Sequence, residues 1–203
     1  MSLTAQCTAN LRSLGSQKKR TPQYLERDDI EREAFLEKVQ KIPEGSIVFI
    51  DETGISDNEI PACAWSYSGV RAPGPTRGRS HKRVSIVASL KRGKLSSAMV
   101  LDGAFNGDAF EAYISQVLLP KCVPGDVVIM DNAQIHKSPR IREILKTKQC
   151  ELLYQPKYSP DLNPIEHQWS PLKAEIRRSI EKDIAMNFCI FEKASEILKL
   201  RLA

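Results

Sequence analysis

Three carboxylates stand where a folded chain could bring them to one point. Asp131 ends a run of four apolar residues, Val127 to Met130, and Asp51 ends a second run, Ile47 to Ile50. The Val127–Met130 run is short, largely β-branched and preceded by Pro124-Gly125. That pattern predicts a strand buried on both faces, as under helices in a parallel or mixed sheet. The third carboxylate is Glu166 in SPDLNPIEHQW, where Asn163 can cap a helix and Pro164 suits its first position. If the two strands are parallel neighbours, Asp51 and Asp131 end side by side, roughly 5 Å apart in backbone spacing. Carboxylates that close repel unless a cation neutralises them. Hard oxygen donors suit Mg²⁺ or Mn²⁺. A pair of such ions can clamp the attacking and leaving oxygens of a phosphodiester.

Other polar residues compete for these roles. Glu52 follows Asp51 directly, so on a strand it faces the opposite way and reads as a structural neighbour. His136 lies five positions past Asp131; a lone histidine there is more often a hydrogen-bonded structural residue than a ligand. Beside a site it could orient a ligand or contact a phosphate, and Asn132 could do similar work. Asn163 with Glu166 three residues on also matches a capping box, which would explain Glu166 without chemistry. The helix face argues otherwise. Ile165, Trp169, Leu172 and Ile176 form its apolar stripe. Glu166 falls about one 100° step away, beside Ser170, Lys173 and Arg177. Pro171 lies inside this helix, costs about 3 kcal/mol in an undistorted one, and predicts a kink.

The pieces IDETGI, IMDNAQIHKS and YSPDLNPIEHQWSPLK occur in this order, with Glu166 35 positions after Asp131. Together they resemble the catalytic domain of mariner-type DDE transposases, in the bacterial insertion-sequence branch, over about residues 22–178. The resemblance implies that Asp51, Asp131 and Glu166 share two Mg²⁺ (or Mn²⁺) ions. It implies hydrolysis at the element's ends, then attack of the freed 3′-hydroxyl on target DNA. Asn132, His136, Lys173 and Arg177 would support the ligands or contact DNA. The implied partners are double-stranded DNA, a second copy of the chain bound with it, and an upstream helix-turn-helix module. The implied location is a bacterial cytoplasm. A nuclease that only hydrolyses, and an inactive DNA-binding remnant, are the alternatives.

Composition fits such a protein without pointing to it. The 203 residues are 41% hydrophobic and 27% charged, ordinary for a globular chain. No apolar run reaches the length of a membrane span, and the first 20 residues have no signal-peptide core. Five scattered cysteines without a CxxC pair argue against structural zinc and a disulfide framework, and for a reducing compartment. The net charge of +5 is mild. Its distribution says more: Arg71, Arg77, Arg79, Lys82 and Arg83 open a stretch over 71–94 with no acidic residue. Beside a carboxylate site, that stretch predicts a phosphate-contacting surface.

The remaining patterns give the frame. A helix is predicted over 22–41, with Leu25, Phe35, Leu36 and Val39 inward. Residues 63–70 read as a short strand; 84–90 and 95–101 read as a hairpin turning at Lys91-Arg92-Gly93-Lys94. A helix capped by Asn106 runs to about Leu118, and others cover 139–148 and the stretch from about Ala185, where Phe188, Phe191, Ile197 and Leu198 face inward. A fifth strand spans 151–154. The order βββαβαβα resembles a ribonuclease-H-like α/β fold: a mixed five-stranded sheet flanked by helices, its first and fourth strands adjacent. The division is 1–42 (remnant of a DNA-binding region, linker and packing helix), 43–180 (catalytic domain) and 181–203 (C-terminal helix).

Overall fold

The computed structural model describes residues 25–56, 67–70, 83–182 and 190–202. Of the strand expected over 63–70, residues 63–66 lie outside the described residues, as do the start of the last helix near Ala185 and Phe188, and residues 67–70 form a turn closed by Val70 N–H on Tyr67 O at 3.0 Å. Arg71, Arg77, Arg79 and Lys82 also lie outside the described residues.

Five strands form one sheet: β1 (Ile47–Ser56), β2 (Arg83–Lys91), β3 (Lys94–Asp102), β4 (Val127–Met130) and β5 (Glu151–Tyr154). Their order is β3-β2-β1-β4-β5. β1, β2 and β3 pair antiparallel, while β4 lies parallel to both β1 and β5. The β2–β3 turn is tight because Arg92 and Gly93 both take positive φ, 52° and 74°. Two left-handed central residues match the twist of the flanking strands. β4 has parallel neighbours on both edges and helices on both faces, so all four of its residues are buried, as the apolar run predicts.

Among the described residues, five α-helices flank the sheet: α1 (Asp29–Gln40), α2 (Gly107–Tyr113), α3 (Pro139–Lys146), α4 (Glu166–Lys182) and α5 (Ile190–Leu202). On one face Phe110, Tyr113, Ile141 and Leu145 pack on Val48, Ile50, Val128 and Met130. On the other, Trp169, Leu172 and Ile176 of α4, with Ala194 and Leu198 of α5, cover Ile55, Val84, Ile86 and Ala88. The predicted stripe of α4 is therefore the buried one. Pro171 stays on its exposed side, so the helix continues past it without disturbing the core. No helix among the described residues is long and apolar enough to cross a membrane.

Three elements differ from expectation. The helix capped by Asn106 ends at Tyr113 and widens into a π-turn over Ile114–Leu118. Pro120 follows at once; it has no N–H to donate and crowds the carbonyl four residues back, so a regular helix cannot run into it. α3 stops two residues early, at Lys146.

The third difference is the face of α1. Leu25 and Leu36 are 99% and 40% exposed, whereas Phe35 and Arg32 point inward. Phe35 packs with Val127, Ile129 and Leu162. Arg32 forks onto Asp161 through bonds of 2.9 and 2.6 Å. The Arg32 guanidinium holds the Asp161 carboxyl below the usual carboxylate range, against a small opposing effect of burial. Asp161 is half exposed, so screening limits this pair to about 1 kcal/mol. A depressed folded-state pKa stabilises above the unfolded value and stops doing so as pH falls through the folded one. Asp161→Asn should therefore lower Tm by about 2–4 °C at pH 7, and by progressively less as pH falls below about 4. Thermal unfolding across that range checks it; a difference independent of pH would assign the loss to packing instead.

Candidate active site

β1 and β4 run side by side in the register Ile47↔Val127, Val48↔Val128, Phe49↔Ile129. Carried two residues further, that register sets Asp51 opposite Asp131. α4 docks over the same end of the sheet and begins at Glu166. The three carboxylates line one open cavity of about 510 Å³, together with Asn132, Gln155 and Lys157.

Each carboxylate has its own surroundings. Asp51 is 9% exposed and faces α4, where the indole of Trp169 donates to its Oδ2 at 2.8 Å. Burial pushes the Asp51 carboxyl up to about 7; the Trp169 bond opposes this, and the charges of Glu166 and Glu52 add to it. Asp131 caps the turn beyond β4, its Oδ1 accepting from Ala133 N at 3.0 Å and lying 2.6 Å from His136 Nδ1. Burial acts to raise Asp131, but these bonds and the His136 charge outweigh it and hold the carboxyl below its ordinary range. His136 Nε2 lies 2.7 Å from Glu52 Oε1. The ring is 1% exposed, yet its two carboxylate neighbours overcome burial and raise it to about 10. Glu52 thus leaves β1 on the face opposite Asp51, as strand alternation requires.

Glu166 does not form the capping box. Its N–H bonds the carbonyl of Asn163 at 3.2 Å, while Asn163 Oδ1 is buried without a hydrogen-bond partner among the described residues. Tight turns from Pro164 to His167 and from Ile165 to Gln168 occupy the predicted first turn, so α4 starts two residues later than Pro164. The exposed side chain of Glu166 turns to the cavity instead. The loop leading to it is tied down by Gln155 Nε2, which donates to Leu162 O at 3.2 Å, and by the Arg32–Asp161 fork.

Among the described residues, no three Asp, Glu, His or Cys side chains converge closely enough to enclose a metal ion. The donor chemistry is nonetheless that of a hard cation. The ionisable donors that line the cavity are oxygens, three carboxylates and the Tyr158 phenol, with no cysteine or histidine among the described residues of its wall. Burial raises Asp51 and the charges of Glu166 and Glu52 add to that rise, which a cation held there would oppose.

Residues 46–186 match the family described as DDE superfamily endonuclease. This chain belongs to that family. A Caenorhabditis briggsae relative, transposable element Tcb2 transposase, is 43% identical over 47 residues, which is 23% of this chain and 17% of the relative. The matched stretch is thus less than a fifth of that relative's length. Among solved structures, a pre-cleavage Mos1 transpososome superposes with a TM-score of 0.60 at 20% identity, covering 97% of this chain and 67% of that one. A Mos1 mariner paired end complex with Mn gives 0.59 at 19% identity, covering 97% and 67%. The DDE endonuclease fold here is therefore ribonuclease-H-like, as in the Mos1 structures.

Of the other residues singled out by sequence, Asn132 lines the cavity and His136 lies buried behind Asp131. Lys173 and Arg177 are partly buried further along α4 and line no part of the cavity. Arg83 is exposed at the start of β2, its guanidinium across Gly54, where a Cβ would come within 2.9 Å of it. Sequence reasoning missed Lys157 and Gln155 on the cavity wall, and the bond from Trp169, which had read as core alone. Trp169 follows Glu166 by three, one helical turn, and that spacing could have signalled that both reach the site.

Proposed function

We propose that this chain is the catalytic part of a mariner-type transposase, cutting DNA at the ends of its element and joining the freed 3′ ends to target DNA. The observation that carries the reading is the meeting of Asp51, Asp131 and Glu166 in one cavity of a DDE endonuclease fold. Asp51, Asp131 and Glu166 would hold two divalent cations, Mg²⁺ or Mn²⁺; the Mos1 complex with Mn supports this choice. When bound, such ions activate the attacking oxygen and neutralise charge on the phosphoryl group.

The chain's own groups prepare that site. Trp169 fixes one oxygen of Asp51 from α4, and Ala133 N–H and His136 fix one oxygen of Asp131. Asn132 and Lys157, at the cavity wall, face the DNA backbone, and Lys173 and Arg177, partly buried further along α4, act outside the cavity if they contact DNA. Residues 43–180 act as the catalytic domain, with 1–42 as linker from an upstream helix-turn-helix module and 181–203 as a C-terminal helix. The narrower assignment, a bacterial insertion-sequence enzyme working as a homodimer on DNA, rests on the wording of the three motifs. Inverted repeats flanking the gene test that assignment.

The deciding assay is Mg²⁺-dependent nicking of a duplex carrying a terminal repeat, followed by joining of the 3′ end to a second duplex. Nicking without joining would favour a hydrolytic nuclease. Binding without nicking would favour an inactive remnant. The basic segment makes a separate prediction. Arg77, Arg79, Lys82 and Arg83 together replaced by Ala should weaken binding to any DNA sequence, the log–log salt slope falling by roughly 1 for each phosphate that is no longer neutralised. An unchanged slope would mark the segment as solvated surface.

A further inference from the structure

Glu52 and His136 touch no reacting group, yet they form a chain behind the site. Glu52 Oε1 lies 2.7 Å from His136 Nε2, and His136 Nδ1 lies 2.6 Å from Asp131 Oδ1. Each ring nitrogen therefore lies within hydrogen-bond distance of a carboxylate oxygen, Nε2 of Glu52 and Nδ1 of Asp131. The ring cannot easily turn: its centroid is 4.2 Å from that of Phe110, and the Tyr154 hydroxyl donates to the His136 carbonyl at 2.6 Å. The Asp131 side chain is itself half exposed at the cavity, where an untethered carboxylate would sample several rotamers. Ala133 N–H and His136 Nδ1 converge on the same oxygen, Oδ1.

We propose that Glu52 and His136 are positioning residues: Glu52 sets the ring, and the ring pins Oδ1 of Asp131 so that the carboxylate meets a divalent cation through Oδ2. This rests on the reading of Asp131 as a metal ligand. Groups that orient metal ligands in this way typically change metal affinity 10- to 100-fold when removed. A Glu–His pair that served folding alone would change thermal stability and leave the affinity of the folded chain untouched.

The test measures Mn²⁺ binding to the full chain by electron paramagnetic resonance, with circular dichroism to verify folding. Glu52→Ala and Glu52→Val, the latter a better strand former, should each weaken Mn²⁺ binding about tenfold or more. The Mg²⁺ concentration for half-maximal cleavage should rise in step, with KM for DNA unchanged. Glu52→Gln keeps a hydrogen-bonding oxygen and should stay within about threefold of wild type. Folded Glu52→Ala and Glu52→Val chains that bind Mn²⁺ as wild type does would overturn the proposal. Should neither fold, His136→Asn and His136→Gln decide: a folded chain that binds Mn²⁺ about tenfold more weakly supports the proposal, and one that binds as wild type does overturns it. Asp131→Asn is the control. If it binds Mn²⁺ and cleaves like wild type, the ligand reading of Asp131 fails, a result distinct from any failure of the Glu52 variants.

Discussion

Asp51→Asn and Asp131→Asn should each reduce Mg²⁺-dependent strand cleavage by about a thousandfold or more, while shifting stability in opposite directions. Both changes keep side-chain volume and remove one ligand charge. Asp51 is buried, and its folded-state carboxyl is pushed up to about 7. A carboxyl raised above its unfolded value leaves stability intact below the unfolded pKa and removes it as pH rises through the folded one. At pH 8 with a chelator present, the native state therefore carries a strained charge, of about 2–4 kcal/mol. Asp51→Asn relieves it and should raise Tm by at least about 4 °C, with the gain vanishing below about pH 4. An Asn at 51 can still accept from Trp169 Nε1 through its carbonyl oxygen. Asp131 has the reverse sign. Its carboxyl is held below the ordinary range with His136 beside it, so the pair stabilises above the unfolded carboxylate value and fades as pH falls through the folded one. Asp131→Asn should thus lower Tm at neutral pH. Cleavage assays beside thermal melts check both halves; wild-type cleavage by either variant would remove that residue from the site.

The opposite signs bear on how much of this site the sequence makes visible. A strand buried on both faces has to be apolar along its length, so VVIM and IVFI announce β4 and β1; the first carboxylate marks the end of β4, whereas β1 runs five residues past Asp51 to Ser56, held there by its pairing with β2. Alternation then assigns Asp51 and Glu52 to opposite faces, and the structure keeps that assignment, with Trp169 on one side and His136 on the other. The α4 stripe is equally legible, because burial at helical spacing leaves a period. The environments are not legible. The Trp169–Asp51 bond joins residues 118 apart in the chain, and the Glu52–His136 bond joins residues 84 apart. Such contacts are set by how helices dock on the sheet, which no local period encodes. α1 fails for a related reason: its inward face is chosen by Asp161 and the edge of β4, so Arg32 goes in while Leu36 stays out. Asn163 shows the limit of short motifs. Its spacing to Glu166 fits a capping box, but the tight turns through Pro164 and Ile165 leave its side-chain oxygen buried and unbonded among the described residues.

That failed cap makes Glu166→Gln the sharpest probe of the third carboxylate. A capping box accepts Gln as readily as Glu, so a capping role predicts unchanged stability and unchanged cleavage. A ligand role predicts that cleavage falls by about a hundredfold or more, because a neutral amide cannot supply the charge a hard cation draws on. The stability cost should be small either way. Glu166 is exposed, and losing a negative charge at a helix N-terminus costs about 0.3–1 kcal/mol, or roughly 1–4 °C in Tm. Part of that loss is offset, since the Glu166 charge is one of the influences that raise Asp51. Glu166→Asp keeps the charge but shortens the reach by one methylene, and should fall between Gln and wild type if the carboxylate has to meet a cation shared with Asp51 and Asp131. Single-turnover cleavage of an end-labelled duplex in Mg²⁺, run beside melting curves, separates the two roles. If Glu166→Gln cleaves at the wild-type rate, the third ligand lies elsewhere. Among the described residues the cavity wall carries no fourth carboxylate, so the search would then move to Asp57 and Glu59, which follow β1 in the sequence.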